Sequence, residues 1–288
     1  MIVAEYADAP TLWREAEAFL SRDPANNTHQ LSTIKRILDL GARGGERFFA
    51  VRQHDALVGS AVVVDTQTLF TSSMDATVVT ALATHLRDAK VLLAGVVGRR
   101  DVLDAFTEAF AQPFSVHVNL MLYRLEENPE FGRASGSARL ATMDDLSLLI
   151  DWHAAFESEA GMIAVPTPLA ERVALRIRDQ QLTLWIDDGA TVSFAGANTL
   201  PARSARVGPV YTPPNERGRG YAQAVTAAVS LRVQHPLSLQ SVQRVQSDEP
   251  HTVFLFTDAS NTASNKAYQR IGYRHIADHA HLLFELAP

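Results

Sequence analysis

Apolar residues recur at three- and four-residue spacing in TLWREAEAFL and LSTIKRILDL, which predicts two amphipathic helices near the start of the chain. RFFAVRQHDALVGSAVVV then alternates about Gln53–Asp55 and reads as a hairpin. DATVVTALATHLRD reads as a helix, KVLLAGVVG as a buried strand, RRDVLDAFTEAFA as a helix and FSVHVNLMLYRL as a strand. The pattern breaks in EENPEFGRASGS, where Pro, Gly and Ser mark a linker.

The same order then returns. ARLAT is a strand, and Thr142 with Asp145 forms a capping box for the helix MDDLSLLIDWHAAF. PTPLAERVALRIRDQ is a second helix with its prolines early, where they are tolerated. LTLWIDD and TVSFAGANT form a hairpin across Gly189, and RSARVGPVYT is a third strand. A helix follows the glycines near residue 220, then the strand TVFLFT, then the helix TASNKAYQRI, which Gly272 closes. GYRHIA and HLLFEL read as two short final strands with His279 in the turn between them. The two halves share their order of elements without clear sequence identity, so duplication is a hypothesis. The expected units are 1–127 and 137–288, joined by a linker at 128–136.

The chain has 288 residues, enough for two domains, with 47% hydrophobic and 20% charged residues, as in globular proteins. It has no cysteine, which excludes disulfides, thiolate metal sites and a cysteine nucleophile and suits a reducing cytosol. No basic stretch followed by an apolar core opens the chain, and no apolar run reaches the roughly 18 residues of a membrane span. The expectation is a cytoplasmic protein without membrane association. A net charge of −6 argues against a nucleic-acid partner and for small or cationic ligands.

The chemistry is concentrated in VYTPPNERGRGYAQAV, residues 210–225, where a strand becomes a helix through bare backbone and positive charge. A helix N-terminus offers about four unpaired N–H groups and a partial positive charge. Glycine lets an anion approach them, and Arg217 and Arg219 add formal charge, so the turn is a candidate phosphate cradle. The dinucleotide fingerprint fails because Gln223 stands where its third glycine or alanine belongs, and no nucleotide P-loop string occurs.

What does fit is R-x-x-G-x-A at Arg217, Gly220 and Ala222. This resembles the acetyl-CoA signature of the GNAT superfamily of N-acetyltransferases. FLFTDASNTASNKAYQRIGY, residues 254–273, resembles the segment that follows in the same family, through Asn261, Ser264, Tyr268, Gly272 and Tyr273. Asn261 can cap its helix, and Asn261, Ser264 and Tyr268 share one helical face.

The resemblance covers about residues 137–288 and implies an α/β (α+β) fold of two tandem GNAT-like domains, each a mixed, mostly antiparallel sheet flanked by helices. It implies acetyl-CoA as co-substrate, held by Val210, Tyr211 and Thr212 on a splayed strand, by Arg217, Gly218, Arg219, Gly220, Tyr221 and Ala222 in the turn, and by Asn261 and Ser264. It implies Tyr268 as the proton donor to departing coenzyme A. Glu157 and Glu159 end the first helix of the second half, near where acceptors bind in such folds, and Glu159 is the candidate base. The implied activity is acetyl transfer to a small-molecule amine. A non-catalytic acyl-CoA-binding regulatory module and a protein N-acetyltransferase are the alternatives.

The first half lacks the signature: LFTSSMDATVV has neither glycine nor arginine, and DVLDAFTEAFA has neither the asparagine nor the tyrosine. It reads as a GNAT-like domain without cofactor chemistry, as in tandem GNAT proteins. His275, His279 and His281 read as a surface cluster, His153 has no evident partner, and no metal is expected. A polar insert at about 234–251 departs from the family pattern and reads as a loop or an extra packing segment.

Overall fold

The computed structural model describes residues 1–165, 167–236 and 250–285. The first half runs β1 (Ile2–Tyr6), α1 (Ala9–Leu20), α2 (Thr28–Leu40), β2 (Arg47–Gln53), β3 (Ala56–Val63), β4 (Thr68–Thr71), α3 (Ala76–Asp88), β5 (Gly95–Arg99), α4 (Arg100–Phe110) and β6 (Phe114–Leu125). The second half repeats that order: β7 (Ser137–Leu140), α5 (Leu146–Glu159), α6 (Leu169–Arg178), β8 (Leu182–Asp187), β9 (Ala190–Leu200), β10 (Ser204–Tyr211), α7 (Tyr221–Gln234), β11 (Thr252–Asp258), α8 (Thr262–Ile271) and β12 (Tyr273–Phe284).

The local signals are realised where they were read. Thr142 and Asp145 form a capping box ahead of α5. Asn261 caps α8 by accepting from the Ser264 N–H at 3.0 Å, and Gly272 closes the helix at φ +110°. β1 and β4, of five and four residues, escape the sequence reading.

The twelve strands form one sheet in the order β1-β2-β3-β4-β5-β12-β6-β11-β10-β9-β8-β7. Among the described residues only β4–β5 and β10–β11 pair in parallel. The halves exchange their last strands. β6 leaves the first half and pairs with β11, from Phe254↔Arg124 to Asp258↔Leu120. β12 crosses the other way and pairs with β5, from His279↔Arg99 to Leu283↔Gly95. The two exchanged strands pair with each other along their full lengths.

Burial follows the exchange. Ala280, Leu282 and Phe284 of β12 join the first-half core beneath α3 and α4, whereas Tyr273 at its start joins the second-half core beneath α7 and α8. Tyr123 and Leu125 of β6 are buried in that second-half core. Each half therefore takes core side chains from the other.

The chain end corrects the expectation of two short strands. β12 is continuous, and shifts in register at His275/Ala277 and His281/Leu282 take the place of a turn. A neighbour of equal length, β6, pairs along the whole run, so the polar residues are accommodated as bulges. The surface histidine cluster is corrected with it. His279 is 1% exposed, with Nε2 3.0 Å from Asn26 Oδ1. His281 packs edge-on to His117, and only His275 faces outward, paired with Asp278 at 2.8 Å. His153 is buried as well, with Nδ1 2.7 Å from Leu149 O and its ring stacked on Phe194.

Among the described residues no three potential metal ligands cluster, and no helix is long and apolar enough to cross a membrane. The insert at 234–251 falls largely on 237–249, outside the described residues.

Candidate active site

The site begins where two parallel strands part. β10 and β11 are paired from Ser204↔Thr252 to Val207↔Leu255 and no further. Past that point β10 bulges between Val207 and Val210 against β9. Gly208 and Pro209 occupy the bulge, and proline has no N–H to continue a ladder. β11 runs on through Phe256 to Asp258, held on its other side by β6. The strands thus bound a wedge, with Gly208–Tyr211 on one wall and Phe256–Asp258 on the other.

The chain leaves the wedge through Thr212, a short turn at Pro214–Glu216, and then Arg217–Gly220 into α7. Gly218 and Gly220 have φ of +81° and +86°, the left-handed region that favours glycine. A Cβ at Gly218 would meet nothing within 4 Å, and one at Gly220 would meet only Ala134 at 3.7 Å. No side chain caps α7, so its first-turn N–H groups face the open side of a glycine turn. The equivalent helix of the first half, α3, is closed by its own carboxylate: Asp75 accepts from the Val78 N–H at 2.9 Å. An anion is favoured at the first terminus and excluded from the second.

Residues 186–282 match the family model described as FR47-like protein. The fold is similar to an acetyltransferase from the GNAT family of Colwellia psychrerythraea, at 14% identity and TM-score 0.58, with 100% of each chain covered. It is similar to a tandem GNAT protein from the clavulanic acid biosynthesis pathway, at 12% identity and TM-score 0.59, covering 100% of this chain and 99% of that one. A Drosophila protein aligns at 12% identity and TM-score 0.65, over 99% of this chain and 98% of that one. No curated protein matches the chain in sequence. The chain has the fold of GNAT acetyltransferases.

Within this GNAT fold the remaining candidate residues fall into two groups. Val210 and Tyr268 border the same apolar cluster as Tyr221, Ala224 and Leu255, so the wedge and α8 meet on one core. Burial pushes the Tyr268 hydroxyl up to about 12, against the opposing pull of a hydrogen bond with Ser264. Tyr268 is therefore protonated at neutral pH. Ala222 is half-buried on the first turn of α7.

The second group is already engaged within the protein. Arg217 Nε donates to Thr212 O at 2.8 Å, its Nη2 donates to both Glu159 oxygens at 2.7 and 2.9 Å, and its guanidinium lies over the Tyr211 ring. Glu159 and Arg217 are each about half exposed, so this ion pair is weak and exchangeable. Arg219 pairs with Glu216 at 2.9 Å, and Glu157 is held by Arg172 at 2.8 Å. Thr212 is buried with its hydroxyl 2.8 Å from Ser193 Oγ.

Tyr221 turns its hydroxyl to Asp187 at the end of β8, which leaves its backbone as the part that faces the turn. Asp187 also accepts from Ser135 Oγ at 2.8 Å, and Trp185 Nε1 donates to Ser135 O at 2.7 Å. The segment that carries Ser135 is thereby fastened beside the N-terminus of α7. Sequence reasoning missed this wall, because Asp187, Trp185 and Ser135 belong to no motif and meet only across about fifty positions.

Proposed function

We propose that the chain is an acetyltransferase that moves the acetyl group of acetyl-CoA to the amine of a small-molecule acceptor, using one site in residues 137–288. The observation that carries this reading is the uncapped, glycine-lined N-terminus of α7 at the mouth of the β10–β11 wedge. Bound acetyl-CoA supplies a thioester carbonyl open to attack. In this reading the N–H groups of Gly218–Ala222 hold the pyrophosphate, and Asn261 and Ser264 border the coenzyme from α8. The edge of Val210–Thr212 takes the pantetheine arm, with the Val210 N–H directed to the thioester oxygen.

A neutral amine attacks the thioester carbon, a C–N bond forms and the C–S bond breaks. Glu159 takes the proton released from the amine, and the Tyr268 hydroxyl gives its proton to the departing thiolate. Arg217 exchanges Glu159 for the pyrophosphate as the coenzyme arrives, which frees the carboxylate for that role. The low value of an exposed ion pair keeps this exchange inexpensive.

Two measurements test the site. Calorimetric titration of the full chain with acetyl-CoA is expected to give one site per chain, since Asp75 closes the matching helix of the first half. Two equivalent sites would remove the distinction between the halves. Gly220→Asp places a carboxylate where the phosphate sits, in a backbone conformation that aspartate tolerates better than most residues. Coenzyme affinity is expected to fall by about 2 kcal/mol or more, the scale of charge-assisted hydrogen bonds lost. Unchanged affinity in that titration overturns the phosphate assignment.

A further inference from the structure

Two arginines on the far side of the wedge have no counter-charge among the described residues. Arg206 stands on β10 one residue before the last pair with β11, opposite Asn198 of β9. Its neighbours Ala205 and Val207 pack beneath α7, so by strand alternation Arg206 projects from the opposite face of the sheet. Arg176 reaches the same face from α6. Its Nη2 donates to Gly208 O at 2.8 Å and to Asn198 Oδ1 at 3.3 Å. Gly196 makes room for it, because a Cβ there would collide with Nη2.

Neither guanidinium forms an ion pair with any described residue. Arg176 Nε is enclosed without a partner, and no hydrogen bond of the Arg206 guanidinium is present among the described residues. Desolvation lowers each arginine to about 10, and Arg206 lowers Arg176 further, so the two cations sense each other. Burial holds the neighbouring His153 at about 4, so it is neutral at pH 7 and adds no charge. The nearby carboxylate Glu157 is taken by Arg172. Arg176 and Arg206 are nevertheless only partly buried as residues, so they are not wholly closed off from solvent.

Desolvated cations are costly unless an anion arrives, and the guanidinium fork fits a carboxylate in two-point contact. The carbonyl that Arg176 holds, Gly208 O, is two residues from Val210, at most about 7 Å along the chain. An amine at the thioester and a carboxylate on the arginines therefore fit within one small molecule. The coenzyme enters beside α7, and the second substrate enters from the opposite face of the sheet.

We propose that the acceptor is an amine bearing a carboxylate, of the amino-acid class, and that Arg206, with Arg176 beside it, seats that carboxylate. This rests on the acetyl-transfer reading above and names its substrate class.

The test uses the full chain, the twenty L-amino acids and their carboxamides as matched probes, thiol release as the readout, and a separate calorimetric titration with acetyl-CoA. At least one amino acid is expected to exceed its carboxamide in kcat/KM by roughly 30-fold, the scale of charge-assisted hydrogen bonds lost. Arg206→Met is expected to reduce that preference to a few-fold while leaving the acetyl-CoA affinity unchanged. Arg206→Lys, which keeps the charge and loses the fork, is expected to fall between the two.

Equal rates for acids and carboxamides, or turnover of uncharged amines alone, overturn the proposal and leave acetyl transfer standing. So does a full panel of inert amino acids beside normal acetyl-CoA binding. Absence of acetyl-CoA binding instead removes the acetyl-transfer reading, and this proposal with it.

Discussion

Tyr268→Phe is expected to lower turnover by roughly 10²-fold, the lower end for a positioned general acid. The ring borders the second-half core and stacks edge-on with Tyr273 at 6.2 Å, so phenylalanine keeps the packing and removes only the hydroxyl. Burial holds that hydroxyl at about 12, so it carries its proton at neutral pH and has one to give. Coenzyme affinity is expected to hold, because in the proposed mechanism the hydroxyl acts on charge that develops only as the C–S bond breaks. Steady-state rates for both proteins, beside a titration with acetyl-CoA, separate the two effects. Equal rates remove Tyr268 from the mechanism. A loss of coenzyme affinity matching the loss of rate recasts it as a binding residue.

A fragment of residues 130–288 is expected not to fold cooperatively, although it contains every candidate site residue. Without β6, β11 loses its antiparallel neighbour and β12 loses both of its partners. The second-half core loses Tyr123 and Leu125, and Ala280, Leu282 and Phe284 lose the core they enter. Each large buried side chain removed costs about 2–5 kcal/mol, and a handful exceeds the whole stability of a typical domain, about 5–15 kcal/mol. Scanning calorimetry of the fragment should show no sharp transition. A fragment of residues 113–288, which restores β6 beside β11 and β12, is expected to regain one. A cooperative melt for 130–288, with the circular dichroism expected of its share of the full chain, would mean that the exchanged strand is dispensable.

The amino-acid sequence alone determined the features that depend on residues within about four positions of each other. Gly218 and Gly220 take the left-handed backbone at the turn, Asn261 caps the helix of Tyr268, Gly272 ends it, and Thr142 closes a box with Asp145. Capping and glycine geometry are settled within one turn of chain, so a short string displays them. The helices and most of the strands were legible for the same reason, since periodicity is a local property.

Tertiary structure alone decided which strand lies beside which. The exchange of β6 and β12 follows from burying two apolar faces in a shared sheet, and nothing local in either strand names its neighbour. His279 reads as a turn residue, yet it is buried and bonded to Asn26 across 253 positions. Glu159 meets Arg217 across 58 positions, and Arg176 reaches the carbonyl of Gly208 across 32. Burial and ion pairing depend on what the rest of the chain places within a few ångströms. The glycine turn ahead of α7 could therefore be read in the sequence, and the meeting of Arg176 with Gly208 behind it emerged only from the fold.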